Sequence, residues 1–320
     1  MSKIVNANLD RLKLLLALMV VAMHCKVLGG NDSLPGYLLC NGLLRIAVPV
    51  FFLINGYFLG QALQGAAGIR RWLGRIVLLY VFWMLVYSPF YVAGSGVGAV
   101  LLALKQWLIG FFHLWYLLGM IGGGLLLYAV RERRTWQVAA LALIAFALGL
   151  ALQYARAYVQ IPEAFLQHFN QNDYAARNFL FMGFPFVATG FLLARHQVPA
   201  RLAPGLLWSW LVVALLLMLA ESWFNYQHAP DRVINFDFMF TLPLVAPVVV
   251  LLALHYPRPG TGDRVGRLSA AVYFTHPLLM FAAMAAGLAY GSLMALLVAL
   301  LTLAVAPLVI AASRRWRFIL

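Results

Sequence analysis

Lys13 and His24 stand eleven residues apart on the first apolar stretch of the chain, LDRLKLLLALMVVAMHC. At about 100° per residue that spacing is three turns plus about 20°, so the two side chains share one face of a helix, roughly 16 Å apart along its axis. The pair places a cation near one surface of a bilayer and an imidazole deeper on the same stripe. Ionisable groups at such depth are costly and by default mark a site. An imidazole there can act as a general base, or can be a histidine bonded to a neighbouring helix for packing. Lys13 can anchor an anion, or can snorkel to the surface as a topological anchor.

Other polar residues stand out against the apolar background. Arg45 lies within NGLLRIAVPVFFLINGYFLG and needs a partner, because an unpaired guanidinium in hydrocarbon is costly. In the same stretch Pro49 is expected to kink the helix, and Asn55 and Gly56 to admit a neighbouring helix closely. Arg71 and Arg75, at i and i+4 in GIRRWLGRI, form either an anion clamp for phosphates or a topological cluster with Arg70. FFHLWYLLG brings His113, Trp115 and Tyr116 to a membrane interface, where aromatic belts are common. Tyr154, Tyr158, Glu163, His168, Asp173, Tyr174, Arg177 and Asn178 make a mixed surface suited to a sugar or to an ordinary wet loop. ESWFNYQHAPDRVINFD repeats that chemistry with Glu221, Trp223, Tyr226, Asp231 and Asp237. Glu221 falls inside the membrane boundary and so should have a partner. His276 lies near mid-membrane in LSAAVYFTHPLLM, with Pro277 behind it. Cys25 and Cys40 flank one loop and read either as a permitted disulfide or as two small apolar residues. The chain carries no P-loop, GxSxG, HExxH or CxxC motif, and no metal site is expected.

The elements that must position these groups follow from composition. Of 320 residues 64% are hydrophobic and 10% charged, more apolar surface than a soluble domain of this size could bury. Ten apolar segments are expected to span, near 9–29, 36–59, 73–93, 111–130, 136–155, 178–195, 204–223, 237–255, 268–288 and 291–312. The stretch 95–110 can lie in the interface instead. The fold class is all-α, a polytopic integral membrane protein read as a single domain over 1–320. With the N-terminus inside, 17 of the 23 basic residues fall on the inner side and six of the nine acidic ones on the outer side. That asymmetry predicts both termini in the cytoplasm. It also explains the net charge of +14 without nucleic acid, which is not expected as a partner. The first span is too long for a signal-peptide core and is read as retained.

The blocks then resemble a known family. Lys13-x10-His24 is similar to the Arg/Lys-x10-His signature of the acyltransferase 3 family of ten-helix membrane acyltransferases. RIAVPVFFLINGYFL resembles its second-helix block, and HLWYL, RNFLFMGFPFVATGFLLAR and AVYFTHPLL resemble later blocks in the same order. The likeness runs from residue 9 to about 281. Three departures are visible: Lys13 where arginine is usual, Asn55 where serine is common, and Arg71-x-x-x-Arg75 in place of Arg-x-x-Arg.

The resemblance implies transfer of an acyl group, usually acetyl, from acyl-coenzyme A to a hydroxyl of an envelope glycan or glycolipid in a bacterial inner membrane. Acyl-coenzyme A would be a co-substrate and not a tightly bound cofactor. The lipid bilayer is a partner, and a homo-oligomer is open. Under that reading His24 is the base, Glu221 orients it, and His113 or Arg45 meets the oxyanion. Lys13, Arg71, Arg75 and Arg45 hold the coenzyme, and Tyr116, Asn178 and His276 contact substrate. A covalent acyl-His24 relay is a second chemistry. A proton-coupled transporter is a competing class. A non-catalytic scaffold is disfavoured by the cost of Arg45, His24 and His276 in apolar surroundings.

Overall fold

The computed structural model describes residues 6–62, 65–92, 94–159, 173–200, 202–256 and 264–320. The regular structure among these residues is helical, with no strand. The helices are α1 Ala7–His24, α2 Leu34–Cys40, α3 Ala47–Ala62, α4 Ala66–Tyr87, α5 Val97–Ile109, α6 Trp115–Val130, α7 Thr135–Tyr158, α8 Phe184–Arg195, α9 Pro204–His228, α10 Leu242–His255, α11 Arg264–Ala285 and α12 Ser292–Arg315.

Seven segments among them are long and apolar enough to cross a membrane: Leu34–Gly60, Ala66–Phe90, Phe112–Val130, Thr135–Tyr158, Pro204–His228, Arg264–Ala285 and Ser292–Arg315. Three further apolar helices, Val97–Ile109, Phe179–Arg195 and Leu242–His255, are shorter. Helix α1 carries Asp10, Arg11 and Lys13 in its first two turns. Each of the ten expected segments contains a helix among the described residues, and seven segments have the length and hydropathy to cross a membrane. Two boundaries differ from the sequence reading. Helix α1 stops at His24, because Lys26 and Leu28 take left-handed backbone angles in the following turn. Residues 237–241, expected to be helical, precede α10 as non-helical chain.

Lipid and core faces separate cleanly. Helix α12 exposes Leu293, Leu296, Leu300 and Leu308 while burying Met294, Val298 and Thr302. Helix α9 exposes Trp208, Trp210, Val213 and Leu217 and buries Ala214 and Met218. Rows of exposed apolar side chains on a long helix are what a hydrocarbon surround requires.

The centre is built on glycine. Helices α3 and α8 cross so closely that a Cβ on Gly56 would stand 2.0 Å from the Val187 carbonyl oxygen. Reciprocally, a Cβ on Gly190 would stand 2.0 Å from that of Leu53. Small residues on both partners let the backbones touch, which is how helices associate when hydrocarbon offers no hydrophobic drive. The close approach expected of Gly56 is therefore real, and its partner is the α8 backbone. Helix α1 packs mainly on α11, and α11 on α12. That pairing brings the first and the eleventh helix side by side and so determines what faces His24.

Replacing Gly190 by leucine should lower stability by about 1–3 kcal/mol, the usual cost of forced overpacking. Gly98→Ala, whose added Cβ meets nothing within 4 Å, should not lower stability and should raise it by up to about 1 kcal/mol. Thermal unfolding in detergent compares the two.

Candidate active site

His24 ends α1, and its ring meets one from mid-α11. His24 Nδ1 lies 2.9 Å from His276 Nε2. The two rings are nearly coplanar, at 11°, with centroids 5.2 Å apart. That separation exceeds the nitrogen–nitrogen distance by just the two imidazole radii, so the bond runs in line with both rings. On its other side, His276 Nδ1 lies 2.7 Å from the Tyr273 carbonyl oxygen and 3.3 Å from that of Val272. His276 is fully buried and His24 half-buried. His24 Nε2 makes no hydrogen bond among the described residues.

A third imidazole joins them. His113 is buried, its ring centroid 5.3 Å from that of His276 and 5.1 Å from that of Tyr273. Neither of its ring nitrogens has a hydrogen-bond partner among the described residues. Tyr87 and Phe274 complete an aromatic cage around it. The Tyr273 hydroxyl donates to the His113 carbonyl oxygen at 2.9 Å, tying this turn to α11. Phe112, whose ring lies 4.6 Å from His24, takes a left-handed φ of 49°. Strained backbone thus flanks the cluster on two sides, at Phe112 and at Lys26 and Leu28, and such strain persists only where the surroundings enforce it. Tyr116 lies one turn further along α6, where its hydroxyl accepts from Asn55 Nδ2 at 2.7 Å.

At the opposite end of α1 a cavity of about 1060 Å³ opens, lined by Asp10, Lys13, Arg70, Arg71 and Arg75 from α1 and α4. Arg267 of α11 and Arg314 and Arg317 at the end of α12 complete it. Lys13 Nζ pairs with Asp10 at 3.0 Å. Seven basic side chains face one acidic side chain here, a concave excess of positive charge that can attract an anion. Three of the sequence candidates, Lys13, Arg71 and Arg75, converge in this cavity. Arg267, Arg314 and Arg317 were missed, because from sequence each is simply a basic residue at a helix end.

Arg45 does not belong to the cavity. It lies beyond the far end of α1, with Nε donating to the Cys40 carbonyl oxygen at 2.6 Å and Nη2 to Asn41 Oδ1 at 2.9 Å. Nη1 pairs with Asp237, whose other oxygen is 3.6 Å from Arg177. Arg177 also stacks over Trp115. A guanidinium so committed cannot hold a coenzyme at the other end of the bundle.

Glu221 does not orient His24. Its carboxylate accepts from the Tyr154 hydroxyl at 2.6 Å, from the amides of Phe240 and Thr241, and from the Thr241 hydroxyl. It is the anionic cap of α10, where free amides and the helix dipole favour a carboxylate. Asn178 is likewise a cap. Its Oδ1 accepts from the Leu180 and Phe181 amides and its Nδ2 donates to the Ala175 carbonyl, which leaves little for a substrate. Cys25 and Cys40 are free, buried thiols. Glu163 and His168 lie outside the described residues. No group of three metal-ligating side chains occurs among the described residues.

Residues 6–312 match the family model of an acyltransferase domain, that of the acyltransferase 3 family. The chain is 26% identical over 292 residues to the serine/alanine racemase of Enterococcus gallinarum, covering 85% of this chain and 40% of that protein. It is 24% identical over 294 residues to the amino-acid racemase of Enterococcus faecalis, covering 85% and 41%. The chain thus spans about two fifths of the length of these curated relatives. No solved structure matches.

The Arg45–Asp237 pair generates a stability prediction. Asp237→Ala leaves a buried guanidinium without its counter-charge and should cost about 3–5 kcal/mol, whereas Asp237→Asn should cost less. Unfolding midpoints in detergent measure both.

Proposed function

The chain belongs to the acyltransferase 3 family, and on that premise we propose that it transfers an acyl group, most simply acetyl, from acyl-coenzyme A to a hydroxyl of an envelope glycan or glycolipid. The observation that carries the reading is the pairing, on one helix, of a polycationic cavity with an imidazole whose second nitrogen is uncommitted. In this reading the chain crosses a bacterial inner membrane ten times with both termini in the cytoplasm. The basic cavity then faces the cytoplasm, where acyl-coenzyme A is made.

The coenzyme's phosphates sit among Lys13, Arg71, Arg75 and their neighbours, and its extended arm runs along α1 towards His24, roughly 16 Å away. His24 Nε2 takes the proton from the acceptor hydroxyl as its oxygen attacks the thioester carbonyl carbon. The tetrahedral oxyanion accepts a hydrogen bond from the free ring N–H of His113, in a cage that excludes water. Collapse breaks the carbon–sulfur bond. The leaving thiolate takes the proton from His24, which restores the base and releases free coenzyme A and the acyl ester. Arg45 and Glu221 have no direct part in these steps, since each is occupied elsewhere.

His24→Ala should lower acyl transfer by about 10²-fold or more while the protein still inserts and folds. Arg71→Met and Arg75→Met should each raise KM for acyl-coenzyme A with little change in kcat, the signature of lost uniform binding. Steady-state kinetics of purified protein in nanodiscs, with a thiol-release readout, measures these outcomes. Wild-type turnover in His24→Ala would overturn the reading.

A further inference from the structure

We propose that the His276–Pro277 dipeptide sets the tautomer of His24, making His276 a positioning residue that presents the lone pair of His24 Nε2 to the reaction. This rests on the acyl-transfer reading for its purpose, but not for its chemistry.

In an α-helix the N–H of residue 277 would bond to the carbonyl of residue 273. Proline has no N–H, so the Tyr273 carbonyl is left without its helical donor inside α11. A buried orphan carbonyl must find another donor. His276 Nδ1 stands 2.7 Å from that oxygen. A carbonyl oxygen only accepts, so Nδ1 of His276 carries a proton. The ring is fully buried among His24, His113 and Tyr273, and no carboxylate pairs with it among the described residues. A charged ring there would be costly, so His276 is neutral and holds one proton only. Its Nε2 is therefore a lone pair.

That lone pair faces His24 Nδ1 at 2.9 Å, in line. Two lone pairs cannot share a hydrogen bond, so His24 Nδ1 is the donor. A neutral His24 then has its lone pair on Nε2, the nitrogen without a partner. The chain of consequence runs from a missing backbone N–H at Pro277 to the basic atom of the site. Partners that fix a histidine tautomer in this way are common around reactive or metal-bound imidazoles. Here the orienting group is a second imidazole, itself fixed by the backbone.

The full chain, labelled with ¹⁵N-histidine and held in nanodiscs, tests this by NMR, with the His24 signals assigned by their loss in His24→Asn. The expected result is His24 protonated at Nδ1 with an unprotonated Nε2. In His276→Phe the acceptor is gone. His24 should move towards the Nε2-protonated form, and kcat should fall by about 10²-fold with KM for acyl-coenzyme A within twofold. His276→Gln offers a carbonyl oxygen to Nδ1 and should recover both the tautomer and most of kcat. Pro277→Ala restores the competing amide and should weaken the bias part-way. It guards against a His276 variant that misfolds. An Nε2-protonated His24 in the unaltered protein, or full kcat in His276→Phe with a shifted tautomer, would overturn the proposal. A correct tautomer in a protein that transfers no acyl group would instead overturn the functional reading and leave the tautomer device standing.

Discussion

No water competes for hydrogen bonds inside a hydrocarbon-embedded bundle, so each polar group there must be answered by another or carry its full desolvation cost. The bond between His24 and His276 is the answer on which this structure depends. It closes the α1–α11 contact at the depth where the chemistry would occur, and it also satisfies a carbonyl that a proline has left open. The same rule governs two of the buried or half-buried charged groups. Glu221 collects two amides and two hydroxyls, and Arg45 spends its donors on Asp237, Asn41 and the Cys40 carbonyl. Once these are satisfied they have little left to offer a substrate. His113 departs from the rule, caged by rings with both nitrogens unpaired. The Tyr37 and Ser222 hydroxyls are also unanswered among the described residues, but His113 alone stands beside the His24–His276 pair, where a substrate atom would find its hydrogen bond.

The first helix was largely readable from the chain. Helical phase alone put Lys13 and His24 on one stripe, and the structure sets Lys13 in the basic cavity and His24 against another histidine. Gly56 was readable for the same reason: a missing side chain in an apolar helix has few explanations. His276 could be placed near mid-membrane, but not beside His24, because 252 residues of chain separate them and helix pairing is decided by packing. Glu221 and Asn178 misled because a cap and a site begin from the same premise, a polar side chain that needs partners. Their partners are backbone amides, which a sequence does not display. The sequence also ran α1 past His24 and began α10 at 237. Left-handed residues at Lys26 and Leu28 and a non-helical approach to Thr241 are local choices that apolar composition does not report.

The departures from the family pattern can be weighed once the cavity is seen whole. A lysine in place of arginine loses a planar fork of donors. At Lys13 that loss would matter if the residue met an anion alone. It does not: Arg71 and Arg75 face the same space from α4, Arg267 from α11, and Arg314 and Arg317 from the end of α12. Arginines on α4, on α11 and at the end of α12 supply the forks, and Lys13 contributes a charge already tethered to Asp10. The wider Arg71–Arg75 spacing is absorbed in the same way, since i and i+4 lie on one face of α4 as i and i+3 would. Asn55 in place of serine keeps a donor against the Tyr116 hydroxyl, one turn beyond His113. Each change is conservative in the property its neighbours use, charge in the cavity and a short donor beside Tyr116, and not in the side chain itself. An anion held by groups from four directions is fixed in position more firmly than by any one pair. For the proposed acyl-coenzyme A that would matter, because its reacting carbonyl would hang at the end of a long arm, and a shift at the phosphates would carry it away from His24.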